Sequence, residues 1–337
     1  MRLGNKEELL STLERIASVP ILVVGDIMLD RYVWGKVDRI SPEAPVPIVE
    51  VVRIEDRLGG AGNVVCNLAT IGAKPKVCGV VGADEDGKSI IRLFEESGAD
   101  CSGIIIAPER PTTLKTRVIA GSQQVVRVDR EIREDMCVAT SNNLSRTVSA
   151  EIDACKAVVL SDYGKGTVSS DLLRVLSDAY AGGRLGLRTR PLFVDPHPRN
   201  YDRYQVMSVA KPNRKEAEKA SGQSIKTIED AFHACEMLIK KWNSELMVVS
   251  LGEDGMVVRE ANSPEGLHLE TMAQEVFDVS GAGDTVTAVF TSALAVGASP
   301  VTAGVLANIA AGIVVSEVGT AAVNLTRLRA AVSEWSI

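Results

Sequence analysis

Residues 21–30 read Ile21-Leu22-Val23-Val24-Gly25-Asp26-Ile27-Met28-Leu29-Asp30. The opening apolar run, ended by Gly25, reads as a strand buried on both faces. Similar β-branched runs recur at 76–81, 157–160, 192–194, 206–209 and 246–250. Between them, helical periodicity covers 63–71, 87–96, 169–180, 228–242 and 301–315. Strands separated by helices predict an α/β chain whose mostly parallel sheet carries helices on both faces. Asp26 and Asp30 follow the carboxyl end of the first strand, where such sheets gather their ligands.

Two stretches break this rhythm. Residues 31–58 carry Pro42, Pro45 and Pro47 and then alternate through Ile54, and residues 111–130 alternate around a Gly121-Ser122 turn. Both patterns predict half-exposed antiparallel strands apart from the main sheet. A lid over a cleft and an ordinary edge hairpin fit them equally. No repeat or linker divides the 337 residues, so one domain spanning 1–337 is expected.

Composition narrows the function classes. The 37 basic and 44 acidic side chains leave a net charge of −7, and no block of like charge stands out. That argues against nucleic acid or an anionic membrane as partner. The six cysteines are scattered without a C-x-x-C pair, as reduced thiols of a cytoplasmic protein are. The charged first ten residues do not read as a signal peptide. Residues 285–316 carry no charge, but Gly297, Ser299 and Pro300 split them into two buried core helices, each short of the roughly 20 residues a membrane span needs.

The strongest local signal is Asp278-Val279-Ser280-Gly281-Ala282-Gly283-Asp284-Thr285, running into a helix. Small residues leave the N–H groups open, and the helix N-terminus aims them and its partial positive charge at one point, as a transferring phosphoryl group requires. Asp284, in the first turn, is placed to take the proton of an attacking hydroxyl. Taken alone, a glycine turn with an aspartate cap is the commoner arrangement. A dinucleotide fingerprint fails here and at Gly60-Ala61-Gly62, because Val286 and Val65 stand where the third glycine belongs.

Residues 82–89 satisfy the phosphate-loop pattern, yet Asp84, Glu85 and Asp86 would face the polyphosphate. Each like-charge pair at about 5 Å costs about 3 kcal/mol at an effective dielectric near 20, so the match reads as accidental. Asn213 and Glu216 share the first turn of a helix started by Pro212 and suit water-mediated contact with Mg²⁺, or else form a capping box. Ser250, Gly252 and Gly255 mark a strand end and hairpin turn that a nucleotide could approach closely. Gly59, Gly60 and Asn63 permit a similar approach at a helix start. His197, in a proline-rich turn, receives no catalytic role.

Together these motifs resemble the ribokinase family over nearly the whole chain: Gly59 to Asn63 its glycine signature, Gly82, Asp84 and Gly87 its second landmark, Asn213 and Glu216 its N-x-x-E motif, and Ser280 to Asp284 its anion hole and base. The resemblance implies a ribokinase-like sheet of eight or nine strands with a small antiparallel β lid, and homodimers joined through lids. It implies ATP and Mg²⁺, Gly281, Ala282 and Gly283 as an anion hole, and Gly252, Gly255 and Asn308 beside the nucleotide. Asp30 would face the sugar, and Asp278 and Ser280 match positions that hold a monovalent cation such as K⁺ in many members. Met28 departs from the asparagine of some ribose-specific members, which argues against ribose.

Residues 30–47, Asp30-Arg-Tyr-Val-Trp-Gly-Lys-Val-Asp-Arg-Ile-Ser-Pro-Glu-Ala-Pro-Val-Pro47, and Asp162-Tyr-Gly-Lys-Gly166 resemble the branch that phosphorylates D-glycero-β-D-manno-heptose 7-phosphate at O1. That branch supplies ADP-heptose for the lipopolysaccharide inner core. In many relatives an adenylyltransferase segment follows; none follows here, which reads as the monofunctional form. A substrate phosphate needs cationic partners, and Lys165, then Arg39, Lys115 and Arg117, are the candidates. Another sugar or nucleoside kinase and a sugar-binding regulator without catalysis remain open; the retained Asp284 counts against the regulator.

Overall fold

A computed structural model describes residues 5–121, 123–263, 265–272, 279, 281–316 and 322–335. In chain order the strands are β1 (Pro20–Gly25), β2 (Ile27–Ile40), β3 (Pro47–Gly60), β4 (Lys74–Gly82), β5 (Asp100–Ala107), β6 (Leu114–Ala120) and β7 (Gln123–Arg130). They continue with β8 (Ala157–Ser161), β9 (Leu192–Asp195), β10 (Met207–Ala210), β11 (Ser244–Ser250), β12 (Met256–Glu260) and β13 (Leu267–Leu269). Nine of them form one sheet in the order β13-β12-β11-β10-β9-β8-β1-β4-β5. From β11 to β5 all pairings are parallel, while β12 and β13 close that edge antiparallel.

The central strand explains why both faces are covered. Ile21 and Val23 point into one apolar cluster, Leu22 and Val24 into the other, and all four are fully buried. A strand of this kind needs helices above and below. Helices Ala61–Thr70, Ala282–Ala295 and Pro300–Val315 cover the first face, and Ser170–Ala181 and Ile228–Trp242 the second. The uncharged stretch is thus two core helices, and no helix among the described residues is long and apolar enough to cross a membrane.

The sheet order reverses between β1 and β8: the chain leaves β1 toward β4 on one side and later returns to β8 on the other. A crevice opens at the carboxyl ends of strands at such a point. Asp26 lies just past β1 and Asp162 just past β8.

The two irregular stretches form a separate sheet, ordered β3-β2-β6-β7. It consists of two antiparallel hairpins joined by a parallel β2–β6 pairing. Its strands run further than the sequence suggests, β2 starting at Ile27 and β3 ending at Gly60, so the sheet grows directly out of the crevice. Arg31 anchors its base through Asp56 at 2.7 Å and Asp86 at 2.9 Å.

Candidate active site

Helix Ala282–Ala295 begins at Gly281, whose φ of +87° is natural only for glycine. Other helices here carry side-chain caps, such as Ser169 on Leu172 N–H and Asn324 on Arg327 N–H. Among the described residues none caps the Gly281 start, and none caps helix Ala61–Thr70, which begins after Gly60. These two helix starts pack together: the Asn63 amide donates to Asp284 Oδ2 at 2.7 Å, and the Thr285 hydroxyl donates to Asn67 Oδ1 at 2.9 Å. Their N-termini therefore meet at one place.

Asp284 is 7% exposed. Its Oδ1 accepts the Tyr163 hydroxyl at 2.7 Å. Burial pushes its carboxyl up to about 6; the Tyr163 and Asn63 donors hold it down, Asp195 adds to the rise and Lys211 opposes it. A carboxylate tuned this way is ionised at neutral pH yet basic enough to receive a proton.

Lys211 is the cation beside it. Its Nζ lies 3.6 Å from where a Cβ on Gly283 would stand, and it pairs with Asp195 Oδ2 at 3.1 Å. Burial works against this ammonium, but Asp195, Glu216 and Asp284 outweigh it and raise its pKa above the ordinary value. The sequence reading missed Lys211, Asp195 and the role of Tyr163. Lys211 directly follows β10 and Asp195 ends β9, so the carboxyl-end rule that singled out Asp26 would have found both.

Asn213 and Glu216 form the capping box: Asn213 Oδ1 accepts the Glu216 N–H at 3.0 Å, and Glu216 Oε2 accepts the Asn213 N–H at 2.8 Å. The box also holds Glu216 near Asp195, for burial and then the Asp195 charge raise its carboxyl pKa. Two carboxylates repelling across Lys211 are the hard oxygen donors that suit Mg²⁺. Among the described residues no cluster of three or more acidic, histidine or cysteine side chains could cage a metal, so waters and phosphate oxygens would complete its shell. The residues present fit such an ion.

The remaining candidates divide. Ser250 bridges to Asn213, which brings the end of β11 to the same crevice. Gly252 has open space where a side chain would be, whereas at Gly255 the Leu269 carbonyl fills the place a Cβ would take. Asn308 donates to the Glu270 carbonyl at 2.6 Å and so ties down the segment after β13. Asp26 accepts the backbone N–H groups of Tyr163, Lys165 and Thr167 at 2.8, 3.0 and 3.1 Å, which makes it a loop organiser. Asp30 accepts Arg117 Nη1 at 2.6 Å and lies against Gly59. Lys165 pairs with Glu131 at 2.6 Å. Burial opposes the Glu131 charge, yet Lys165, Arg133 and Lys115 bring its carboxyl down to about 2. Arg39 is exposed near the end of β2. Asp278 and Ser280 lie outside the described residues.

A family model for pfkB family carbohydrate kinases matches residues 20–327. The chain belongs to that family. Its reaction class is phosphoryl transfer from ATP to a sugar hydroxyl, which agrees with a buried carboxylate at a glycine-started helix. Among curated proteins it is 41% identical over 319 residues to bifunctional protein HldE of Pelobacter propionicus, covering 95% of this chain and 64% of that protein. It is 42% identical over 307 residues to HldE of Geobacter sulfurreducens, covering 91% and 61%. The chain thus spans somewhat under two thirds of the length of these relatives. Among solved structures, Arabidopsis thaliana ribokinase complexed with ribose and ATP has a TM-score of 0.71 at 18% identity, covering 95% of this chain and 100% of that one. Escherichia coli phosphofructokinase-2 in complex with substrates and products has a TM-score of 0.75 at 17% identity, covering 94% and 99%. The ribokinase-like fold expected from the sequence is therefore the fold of this pfkB kinase.

Proposed function

We propose that this kinase transfers the γ-phosphoryl group of ATP to O1 of D-glycero-β-D-manno-heptose 7-phosphate, giving the 1,7-bisphosphate used for ADP-heptose. The observation that carries the chemistry is Asp284, a buried carboxylate at an uncapped helix start with Lys211 beside it. The choice of sugar rests on residues 30–47 and 162–166 and is supported by 41% identity to HldE.

Asp284 accepts the O1 proton as the O1–phosphorus bond forms and the bond to the β,γ-bridging oxygen breaks, ADP leaving with that electron pair. Amides at Gly281, Ala282 and Gly283 and the Lys211 ammonium meet the charge on the phosphoryl oxygens. Ala282 N–H already reaches the Val279 carbonyl at a long 3.3 Å. Asn213, Glu216 and Asp195 would hold Mg²⁺ and its waters, and the ion would neutralise phosphate charge. Ser250, Gly252, Gly255 and Asn308 line the nucleotide side. Asp30, Gly59, Gly60 and Asn63 border the sugar, and Lys165 meets its phosphate by exchanging Glu131 for it. A K⁺ near Asp278 and Ser280 belongs to the same reading; no step is assigned to it.

The four-stranded sheet acts as the lid and joins two copies. Val52, Ile54 and Val128 on it are 67%, 59% and 57% exposed, more apolar surface than a solvent-facing sheet normally shows. Ile54→Glu should turn a dimer into a monomer in light scattering; an unchanged mass would remove the lid from the interface.

ADP release measured over a panel of free and phosphorylated sugars and nucleosides tests the substrate. Heptose 7-phosphate should give the highest kcat/KM, and Lys165→Ala should raise KM for it more than for ATP. Equal use of phosphate-free heptose, or preference for another sugar, would overturn the assignment.

A further inference from the structure

We infer that Tyr163 is the positioning residue of the base: its hydroxyl fixes the Asp284 carboxylate in the plane from which it takes the acceptor's proton. The inference rests on the reading of Asp284 as base and deepens it. Tyr163 donates to Oδ1 at 2.7 Å and Asn63 to Oδ2 at 2.7 Å, so each oxygen carries one fixed donor. A carboxylate has about four acceptor directions, which leaves room for a substrate hydroxyl while preventing rotation. Pre-organisation of this kind shortens the approach to the reactive geometry.

The loop that carries Tyr163 is held by more than packing. Asp26 gathers the N–H groups of Tyr163, Lys165 and Thr167. Asp162 accepts the Gly164 N–H at 2.8 Å, the Asn200 amide at 2.6 Å and the Tyr204 hydroxyl at 2.5 Å. Gly164 sits at φ +67°, and the His197 ring occupies the space a Cβ would need. Two buried carboxylates, a left-handed glycine and a packed ring therefore fix one short loop. Presenting the Lys165 side chain alone would not require the Tyr163 phenol to reach Asp284.

The hydrogen bond also acts on charge. Asp284 faces Asp195, which disfavours its ionised form, and Lys211, Asn63 and Tyr163, which favour it. Removing the phenol takes away one stabilising donor, so the base protonates at higher pH and loses its orientation.

A double-mutant cycle tests this in the full-length enzyme, with kcat, KM for ATP and the pH profile as readouts. Tyr163→Phe should lower kcat about 10- to 100-fold, the worth of a hydrogen bond to a charged group. KM for ATP should stay within about twofold and the acid limb should move to higher pH, as loss of a donor to the ionised form requires. In the Asp284→Asn background the same change should cost less than about threefold, because a residue acting through the base has nothing left to position. Multiplying losses, or no effect of Tyr163→Phe beside a severe Asp284→Asn defect, would overturn the role of Tyr163. A near wild-type Asp284→Asn enzyme would instead overturn the base itself. Fluorinated tyrosine at position 163, a stronger donor of the same shape, should move the acid limb to lower pH even if the phenylalanine variant folds poorly; an unmoved limb counts against the inference.

Discussion

The glycine-bearing helix starts at residues 82–89 and 281–285 look alike in sequence, and in the proposed reaction only the second receives a phosphoryl group. In the first, Asp84 Oδ1 caps the Gly87 N–H at 2.9 Å and Oδ2 accepts the Thr112 N–H at 3.0 Å. Burial opposes the Asp84 charge, but Thr112, Gly87 and Arg130 keep its carboxyl below the ordinary range, so it stays anionic. Arg130 and Arg31 of the four-stranded sheet pair with Asp86 at 2.5 and 2.9 Å, and Lys88 turns outward to Glu85 at 2.6 Å. In the second loop no described side chain caps the helix, and the Lys211 ammonium stands beside the Asp284 and Asp195 carboxylates to offset their charge. Glycine spacing only permits close approach; what already occupies the amides, and the sign of the charge beside them, decides what binds.

The contrast is sharpest between the two lysines. Lys211→Met should lower kcat about 10²- to 10³-fold, the usual effect of removing one electrostatic stabiliser. Lys88→Met should stay within about twofold, as expected of an exposed surface pair. Steady-state kinetics with the reverse ranking would exchange the roles of the loops. Next in size is Glu216→Gln, which should raise the magnesium needed for half-maximal rate about tenfold. An unchanged magnesium titration would leave the capping box as its whole purpose.

Stability separates the loops more gently. With a carboxyl at about 6 in the fold against an ordinary value near 4, folded Asp284 binds its proton more tightly than the unfolded chain does. Its contribution is therefore full below about pH 4 and lost as the pH rises through about 6. Asp284→Asn should stabilise the fold over wild type at pH 8 by up to about 3 kcal/mol, read as a higher Tm, and leave it unchanged near pH 4. A lower Tm at pH 8 would show that the carboxylate is not strained there. Asp84→Ala, which removes a helix cap, should cost about 1 kcal/mol at both pH values.

The repeating strands and helices were legible because each carries its own period, and the separate four-stranded sheet because its prolines and alternation break that period. Strand β5 was not: it begins Asp100-Cys101-Ser102-Gly103 at the sheet edge, where half-burial does not demand an apolar run. Helices Lys6–Ile16, Val138–Glu151 and Leu325–Glu334 also escaped notice, their apolar positions being few and interleaved with charge or hydroxyls. In the candidate site, Asp284 and the glycines before it stood out in the sequence because the motif lies in consecutive residues. Lys211 could have been reached by applying the strand-end rule to β10, but Tyr163 could not, because its meaning arises only when β8 brings it to a helix that starts at residue 282.

The central claim is that Asp284 is the base, and the pH dependence of kcat/KM for wild type and Asp284→Asn tests it most directly. Wild-type activity should fall below about pH 6, the value to which burial raises this carboxyl. Asp284→Asn should lose about 10²- to 10⁴-fold in kcat, the range a positioned general base supplies, with ATP binding retained and no acid limb near that pH. A variant within about threefold of wild type, far short of that range, or one that keeps the same acid limb, would contradict the account.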